Sequence, residues 1–268
     1  MQFTSQQIEQ FQTQGYLAVP DFWTGEEVAA MQAELERFKR DGVFRNVATA
    51  GDGKTEVQSA ANLQVCPIWP HSTLFRAMPF ASKVAQAVEQ LIGGPVLLHL
   101  DQVFLKPGQH GVGTNWHQDN AYFHIENPLH GTALWTAVHE ATAANGTMRI
   151  VPGVFREKLE HTRDLESNHH IRCFPDESKA LTIELPAGGA LFFAYGTPHA
   201  TGANTTDKER AGMALHFLNS AANGTARGGF EPGKRPYLTG PHATGGEKEY
   251  GERVAGTWEN EVAKVLEK

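Results

Sequence analysis

The chain has 268 residues, a formal net charge of −7, 40% hydrophobic and 20% charged residues. That composition suits a globular chain long enough to bury a sizeable core, and the acidic balance argues against a general nucleic-acid or anionic-membrane binder. No apolar run approaches the roughly 20 residues of a membrane span, and Met1–Gln14 lacks a signal-peptide pattern, so a cytoplasmic protein is expected.

In chain order, Thr4 to Gly15 reads as a short helix with Ile8 and Phe11 on one face and Gly15 as its stop. Residues 16–20 read as a strand. Thr24 caps a second helix carrying Val28, Met31, Leu35 and Phe38. Gly42 to Ala61 is small and polar and predicts a mobile loop. Leu74 to Ile92 reads as a third helical stretch, closed by Gly93-Gly94-Pro95.

Beyond this point the pattern turns to strands: 96–106, 134–138, 148–151, 180–185, 190–195 and 212–218, with turn residues between them. Helices first and strands after predict an α+β, mainly β, fold with the N-terminal helices packed on one sheet. The expected architecture is one domain: a helical part (1–95), a double-stranded β-helix, or jelly-roll, core (96–220), and a C-terminal coil and helix (221–268). The Gly-rich stretches 42–61 and 221–246 are expected to cap a pocket. Cys66 and Cys173 predict free thiols rather than a disulfide framework.

The chemistry-bearing pattern is His117-Gln118-Asp119, with His199 eighty residues on and Arg210 eleven after that. On an extended segment, side chains at i and i+2 share a face. A distant histidine would complete a 2-His-1-carboxylate facial triad, which leaves three corners of an octahedron open and suits non-haem Fe(II) that binds O2 and a co-substrate together. Arg210 offers a rigid, always-charged fork for the far carboxylate of a small dicarboxylate.

The chain resembles the phytanoyl-CoA dioxygenase family of Fe(II)/2-oxoglutarate-dependent oxygenases. The resemblance runs from Phe11-x3-Gly15-Tyr16-Leu17 through Lys106-Pro107-Gly108, Trp116-His117-Gln118-Asp119, Leu134-Trp135-Thr136, Asn145-Gly146-Thr147-Met148 and Val151-Pro152-Gly153 to His199-Ala200-Thr201-Gly202 and Arg210. It implies that His117, Asp119 and His199 bind iron. It also implies that Arg210, Thr201, Trp135 and Gln102 surround 2-oxoglutarate. Lys106, at a strand end, is expected in solvent. O2 would be the second co-substrate, and decarboxylation to succinate and CO2 would drive hydroxylation of an unactivated C–H bond.

Related halogenases have Ala or Gly at the carboxylate corner, so the retained Asp119 implies oxygenation. Cyclisation, desaturation or epoxidation by the same oxidant stays open. Asn120, Tyr122, Phe123 and Arg149 are candidate contacts to a small-molecule substrate, and the oligomeric state is not readable. His161, His169 and His170 lie in a polar insert and are read as non-ligands. Many relatives place Ser-His after Pro-Gly where this chain has Val154-Phe155. No basic groove suits the phosphates of coenzyme A. A cupin-like metal enzyme without 2-oxoglutarate, and a non-catalytic binding module, are the competing readings.

Overall fold

The computed structural model describes residues 1–223 and 235–267. The chain opens with α1 (Ser5–Gln14), β1 (Tyr16–Val19), α2 (Gly25–Arg40), β2 (Arg45–Asn46) and β3 (Leu63–Val65). Thr4 and Thr24 each form a reciprocal capping box with the Gln7 or Glu27 three residues on, which satisfies backbone donors that α1 and α2 would otherwise leave bare. Gly15 ends α1 at φ 77°, and a Cβ there would fall 2.6 Å from Phe155 Cδ1. Phe155 thus fills core beside the first helix, while Val154 packs half-buried against the cluster that holds Trp116 and Val151.

The helical stretch expected over 74–92 is broken. Here α3 (Thr73–Ala77) and α4 (Ser82–Ile92) flank a 3-10 turn, Met78–Phe80, because Pro79 lacks the N–H that would continue the helix. Then come β4 (Val96–Lys106), β5 (Thr114–His117), α5 (Asn120–Phe123), β6 (Gly131–Ala137) and β7 (Met148–Ile150). The insert carries a small pair, β8 (Thr162–Arg163) and β9 (Ile171–Arg172). The rest is β10 (Leu181–Ile183), β11 (Ala190–Ala194), β12 (His199–Thr201), β13 (Arg210–Asn219), α6 (Ser220–Asn223), α7 (Glu247–Tyr250) and α8 (Trp258–Leu266).

The strands form a larger antiparallel sheet, β1-β11-β6-β13-β4-β3-β2, and a smaller one, β10-β7-β12-β5. Helices cover one face of the larger sheet. Phe11, Met31, Phe38, Leu74 and Val88 from the helices join Leu98, Leu134, Phe192, Met213 and Phe217 from the sheet in one buried cluster. The other face meets the smaller sheet through Trp135, Met148, Ile150, Ile183, Phe193 and Ala214. Alternation along β13 divides it between these layers: 211, 213, 215 and 217 face the helices, while 210, 214 and 216 face the smaller sheet. The mixed α and antiparallel β content and the helices on one sheet agree with the sequence pattern.

The 42–61 stretch, read as a mobile loop, is tied to the insert instead. Thr49 N donates to Glu166 O at 2.9 Å and Thr49 Oγ1 to Leu165 O at 2.7 Å. The 221–246 stretch lies partly outside the described residues. Among the described residues no helix is long and apolar enough to cross a membrane.

Candidate active site

His117 is the last residue of β5, and His199 the first of β12, directly opposite it in register. Asp119 is not on the strand. The chain leaves β5 after His117, and Asp119 takes a helical conformation (φ −58°, ψ −31°) as the residue that opens α5. Strand pairing therefore brings the two histidines together and a turn brings the carboxylate round. The ligating atoms of His117, Asp119 and His199 all lie within 4.8 Å of one another. Asp119 Oδ1 is 3.8 Å from His117 Nε2 and 3.7 Å from His199 Nε2.

Outer contacts orient all three. His117 Nδ1 meets Asn115 O at 2.8 Å and His199 Nδ1 meets Thr197 O at 3.0 Å. A ring nitrogen facing a carbonyl must carry the proton, so both Nε2 lone pairs point at the shared space. Asp119 Oδ2 is 3.1 Å from His216 Nε2. Gln118, between the ligands, donates to Glu157 O and Gly196 O at 2.7 and 2.6 Å, and its backbone N–H donates to His161 Nε2 at 3.0 Å. The insert histidine His161 thus braces the backbone between His117 and Asp119.

Burial lowers the pKa of His117 to about 4, with His199 adding to it, and burial likewise lowers His199. Burial alone would raise Asp119, but the imidazoles of His199, His216 and His117 outweigh it and hold the carboxyl below its ordinary value. The cluster is therefore two neutral imidazoles and one carboxylate near neutral pH. Two nitrogens and one oxygen converging from adjacent directions, with their outer edges held, fit a divalent first-row metal and leave its other positions facing the cavity.

That cavity has a volume of about 340 Å³. Lys106 and Arg210 stand together on its wall. Arg210, buried at the start of β13, donates to Gly146 O, and its Nε has no partner among the described residues. Burial lowers its pKa to about 10. Lys106 lies opposite Arg210 in register. It was expected in solvent, but it is 1% exposed and donates to Thr201 Oγ1 at 2.7 Å and to Gly202 O at 2.5 Å. The correction is physical: 100, 102, 104 and 106 share one face of β4, and that face lines the cavity. Burial, then Arg210, pushes its pKa well below the ordinary value. Neither cation is paired with a carboxylate among the described residues. A buried guanidinium without a carboxylate partner, beside an amine that a bound anion would keep protonated, calls for an anion, and the Arg210 Nε with a nearby hydroxyl fits a carboxylate end.

Trp135 lines the same end, 5.7 Å from Arg210 Cζ. Gly212 makes room for it: a Cβ there would fall 2.5 Å from Trp135 Nε1.

At the other end stand Arg45, Gln64, Cys66, Leu100, Gln102, Tyr122, Phe123, His169 and His170. Gln102, expected beside the co-substrate, accepts from Gln64 Nε2 at 3.0 Å, and Gln64 Oε1 accepts from Arg45 at 2.5 Å. His169 and His170 belong to no triad, yet they line the cavity, with His170 stacked 6.2 Å from His117 at 10°.

Two candidate substrate contacts fall elsewhere. Asn120 closes the turn after α5, bonding Ile125 N and O at 2.9 and 3.0 Å, and is not on the cavity wall. Arg149 alternates outward between Met148 and Ile150, pairs with Glu177 at 3.1 Å and lies over Trp116.

His216, Lys106, Gln64 and Arg45 were missed. The first two were open to simple period-two counting from Arg210 and Gln102, whereas Gln64 and Arg45 enter through long-range strand pairing that no local spacing announces.

Comparison with known proteins agrees with this geometry. The family model for phytanoyl-CoA dioxygenase (PhyH) matches residues 11–212. The ectoine dioxygenase of Stutzerimonas stutzeri (strain A1501) is 26% identical over 250 residues, covering 85% of this chain and 81% of that protein. That of Streptomyces avermitilis is 26% identical over 258 residues, covering 88% and 85%. Among solved structures, the non-haem α-ketoglutarate-dependent carbocyclase SnoK from nogalamycin biosynthesis superposes with a TM-score of 0.68 at 19% identity, covering 81% of this chain and 85% of that one. EctD from S. alaskensis, with 2-oxoglutarate and 5-hydroxyectoine, gives 0.65 at 17% identity, covering 94% and 86%. These likenesses establish shared architecture, and the match over 11–212 establishes the family: the chain belongs to the phytanoyl-CoA dioxygenase (PhyH) family.

Proposed function

We propose that the protein hydroxylates an unactivated C–H bond of a small polar molecule while 2-oxoglutarate is converted to succinate and CO2. In class it is a 2-oxoglutarate-dependent oxygenase, with Fe(II) as its metal and 2-oxoglutarate and O2 as co-substrates. One observation supports this most: His117, Asp119 and His199 line the same cavity as Lys106 and Arg210, neither of which is paired with a carboxylate among the described residues. We read the two facing sheets as a double-stranded β-helix in a single domain, acting in the cytoplasm.

His117 Nε2, Asp119 Oδ1 and His199 Nε2 would hold the iron, which when bound supplies the oxidising power that side chains lack. The protein's share is orientation. Arg210 and Lys106, with Thr201, would take the distal carboxylate, and Trp135 would wall the co-substrate in. Phe193, Phe123, Leu100 and Ala214 keep the wall apolar and exclude water from the reacting centre.

Arg45 can only donate hydrogen bonds, so the direction of the Arg45–Gln64–Gln102 chain is set from that end. Gln64 presents its oxygen to Arg45 and its amide nitrogen to Gln102, so the Gln102 NH2, on the cavity wall and without a hydrogen bond among the described residues, is the donor this chain offers a ligand. Asp119 is the only acidic residue lining it among the described residues. A substrate with an acceptor end, a carboxylate or carbonyl, fits this wall better than a cation. Ectoine, the substrate named for the curated relatives, is the first compound to try, followed by small neutral amides and carboxylic acids. Compound-dependent succinate release under air, lost in Asp119→Ala, is the expected result. Iron-loaded protein that never releases succinate from 2-oxoglutarate would refute the reading.

A further inference from the structure

The two oxygens of Asp119 face different partners. Oδ1 looks toward the Nε2 atoms of His117 and His199, at 3.8 and 3.7 Å, while Oδ2 looks away from them to His216 Nε2 at 3.1 Å. His216 is 3% exposed and sits on β13, six residues past Arg210 on the same face. Its ring is held in place. Phe123 packs edge-on at 5.6 Å and 73°, and the strand register shifts between His216 and Phe217 opposite β4. Such an irregularity re-aims the side chain beside it. Among the described residues His216 Nδ1 is buried without a hydrogen-bond partner, and the hydrogen bond this ring makes there is the one to Asp119.

A carboxylate can offer a metal one oxygen or two. With two imidazoles already present, a second oxygen would take one of the three positions that a chelating co-substrate and O2 must share. A donor seated on Oδ2 competes for that oxygen's lone pair and turns it from the metal. Nothing in the His-x-Asp spacing supplies such a donor.

We propose that His216 is a positioning residue whose Nε2–H holds Asp119 Oδ2, so that Asp119 presents Oδ1 alone to the metal and three coordination positions stay open. This rests on the iron-site reading above. His216 touches Asp119 and not the reacting atoms, so its effect is read in coordination before turnover.

The test compares the wild-type protein with His216→Gln, whose amide restores a donor at about the same reach, and His216→Met, which keeps length and bulk without one. Each is titrated anaerobically with Fe(II) by chelator competition. The iron-loaded form is then titrated with 2-oxoglutarate, following its visible charge-transfer band, and thermal unfolding reports the fold. We expect His216→Met to bind Fe(II) no more weakly than wild type but to need at least ten-fold more 2-oxoglutarate to develop the band, and His216→Gln to recover most of that loss. If Gln and Met behave alike, whether both match wild type or both are weakened, the donor is irrelevant and the proposal is overturned. If His216→Met does not fold, His216→Phe, which keeps a ring without the donor, takes its place under the same criteria. If the wild-type protein itself binds no Fe(II) or shows no band, the iron-site reading fails first, an outcome distinct from wild-type behaviour in the Met variant.

Discussion

Lys106 Nζ donates to Thr201 Oγ1 at 2.7 Å, joining a buried cation on β4 of the larger sheet to a hydroxyl on β12 of the smaller one. The same hydroxyl accepts from Thr114 N at 3.0 Å, so strand β5 is fastened at the same point. With Arg210 opposite Lys106, the two sheets close on a cationic end that carries no counter-ion of its own among the described residues.

Removing either cation should therefore weaken co-substrate binding specifically. A hydrogen bond to a charged group contributes about 1.5–3 kcal/mol, so Lys106→Met and Arg210→Met should each raise the apparent KM for 2-oxoglutarate by about ten-fold or more. Steady-state succinate release at saturating substrate measures this. An unchanged KM in Arg210→Met would remove that residue from the site.

Lys106 also gives a pH signature. Burial, with Arg210 second, holds its pKa well below the ordinary 10.5. Between the depressed value and 10.5 the unfolded chain binds a proton that the folded chain has lost, so the lysine's destabilising effect on the ligand-free protein shrinks as pH rises. The stability of wild type minus that of Lys106→Met should increase across this window in urea titrations. Co-substrate affinity should move the other way, falling as Lys106 loses its charge, and this alkaline loss should be absent in Lys106→Met.

Gly212 is required for packing, since an added Cβ would lie 2.5–2.6 Å from the Trp135 indole. Gly212→Ala should displace Trp135 and cost about 1–3 kcal/mol of stability, the usual range for overpacking. It should also weaken 2-oxoglutarate binding. Thermal unfolding and the co-substrate titration check the two effects separately.

Arg45 sets the direction of the donor chain that ends at Gln102. Arg45→Leu should raise the KM for the organic substrate several-fold while leaving that for 2-oxoglutarate unchanged. A shift in the co-substrate KM alone would assign this end of the cavity to 2-oxoglutarate instead.

Much of this was legible in the sequence because it is local. Thr4, Thr24 and Gly15 mark helix ends through local caps, and β4 and β13 declare themselves as mostly apolar runs between turn residues. His117, His199 and Arg210 stand out by spacing, and the structure brings them to one cavity. Asp119 was found for a partly wrong reason, since it reaches the cluster from a helical turn and not along the strand face. Lys106 was misplaced because a lysine at a strand end is ordinarily solvated, and only the opposite sheet buries it. His169 and His170 enter the cavity because the insert is hydrogen-bonded to residues 47–53, contacts separated by more than a hundred positions. Arg149 was mis-assigned for want of its register: it is paired with Ala200, while its neighbour Met148 takes the inward place.

The most direct test of the central claim is anaerobic titration of the metal-free protein with Fe(II) and 2-oxoglutarate. One equivalent of iron should bind and a weak visible charge-transfer band should appear on adding 2-oxoglutarate, with the band lost in Asp119→Ala and displaced to higher 2-oxoglutarate concentration in Arg210→Met. Iron binding without any band would contradict a 2-oxoglutarate site, and no iron binding at all would contradict the metal centre itself.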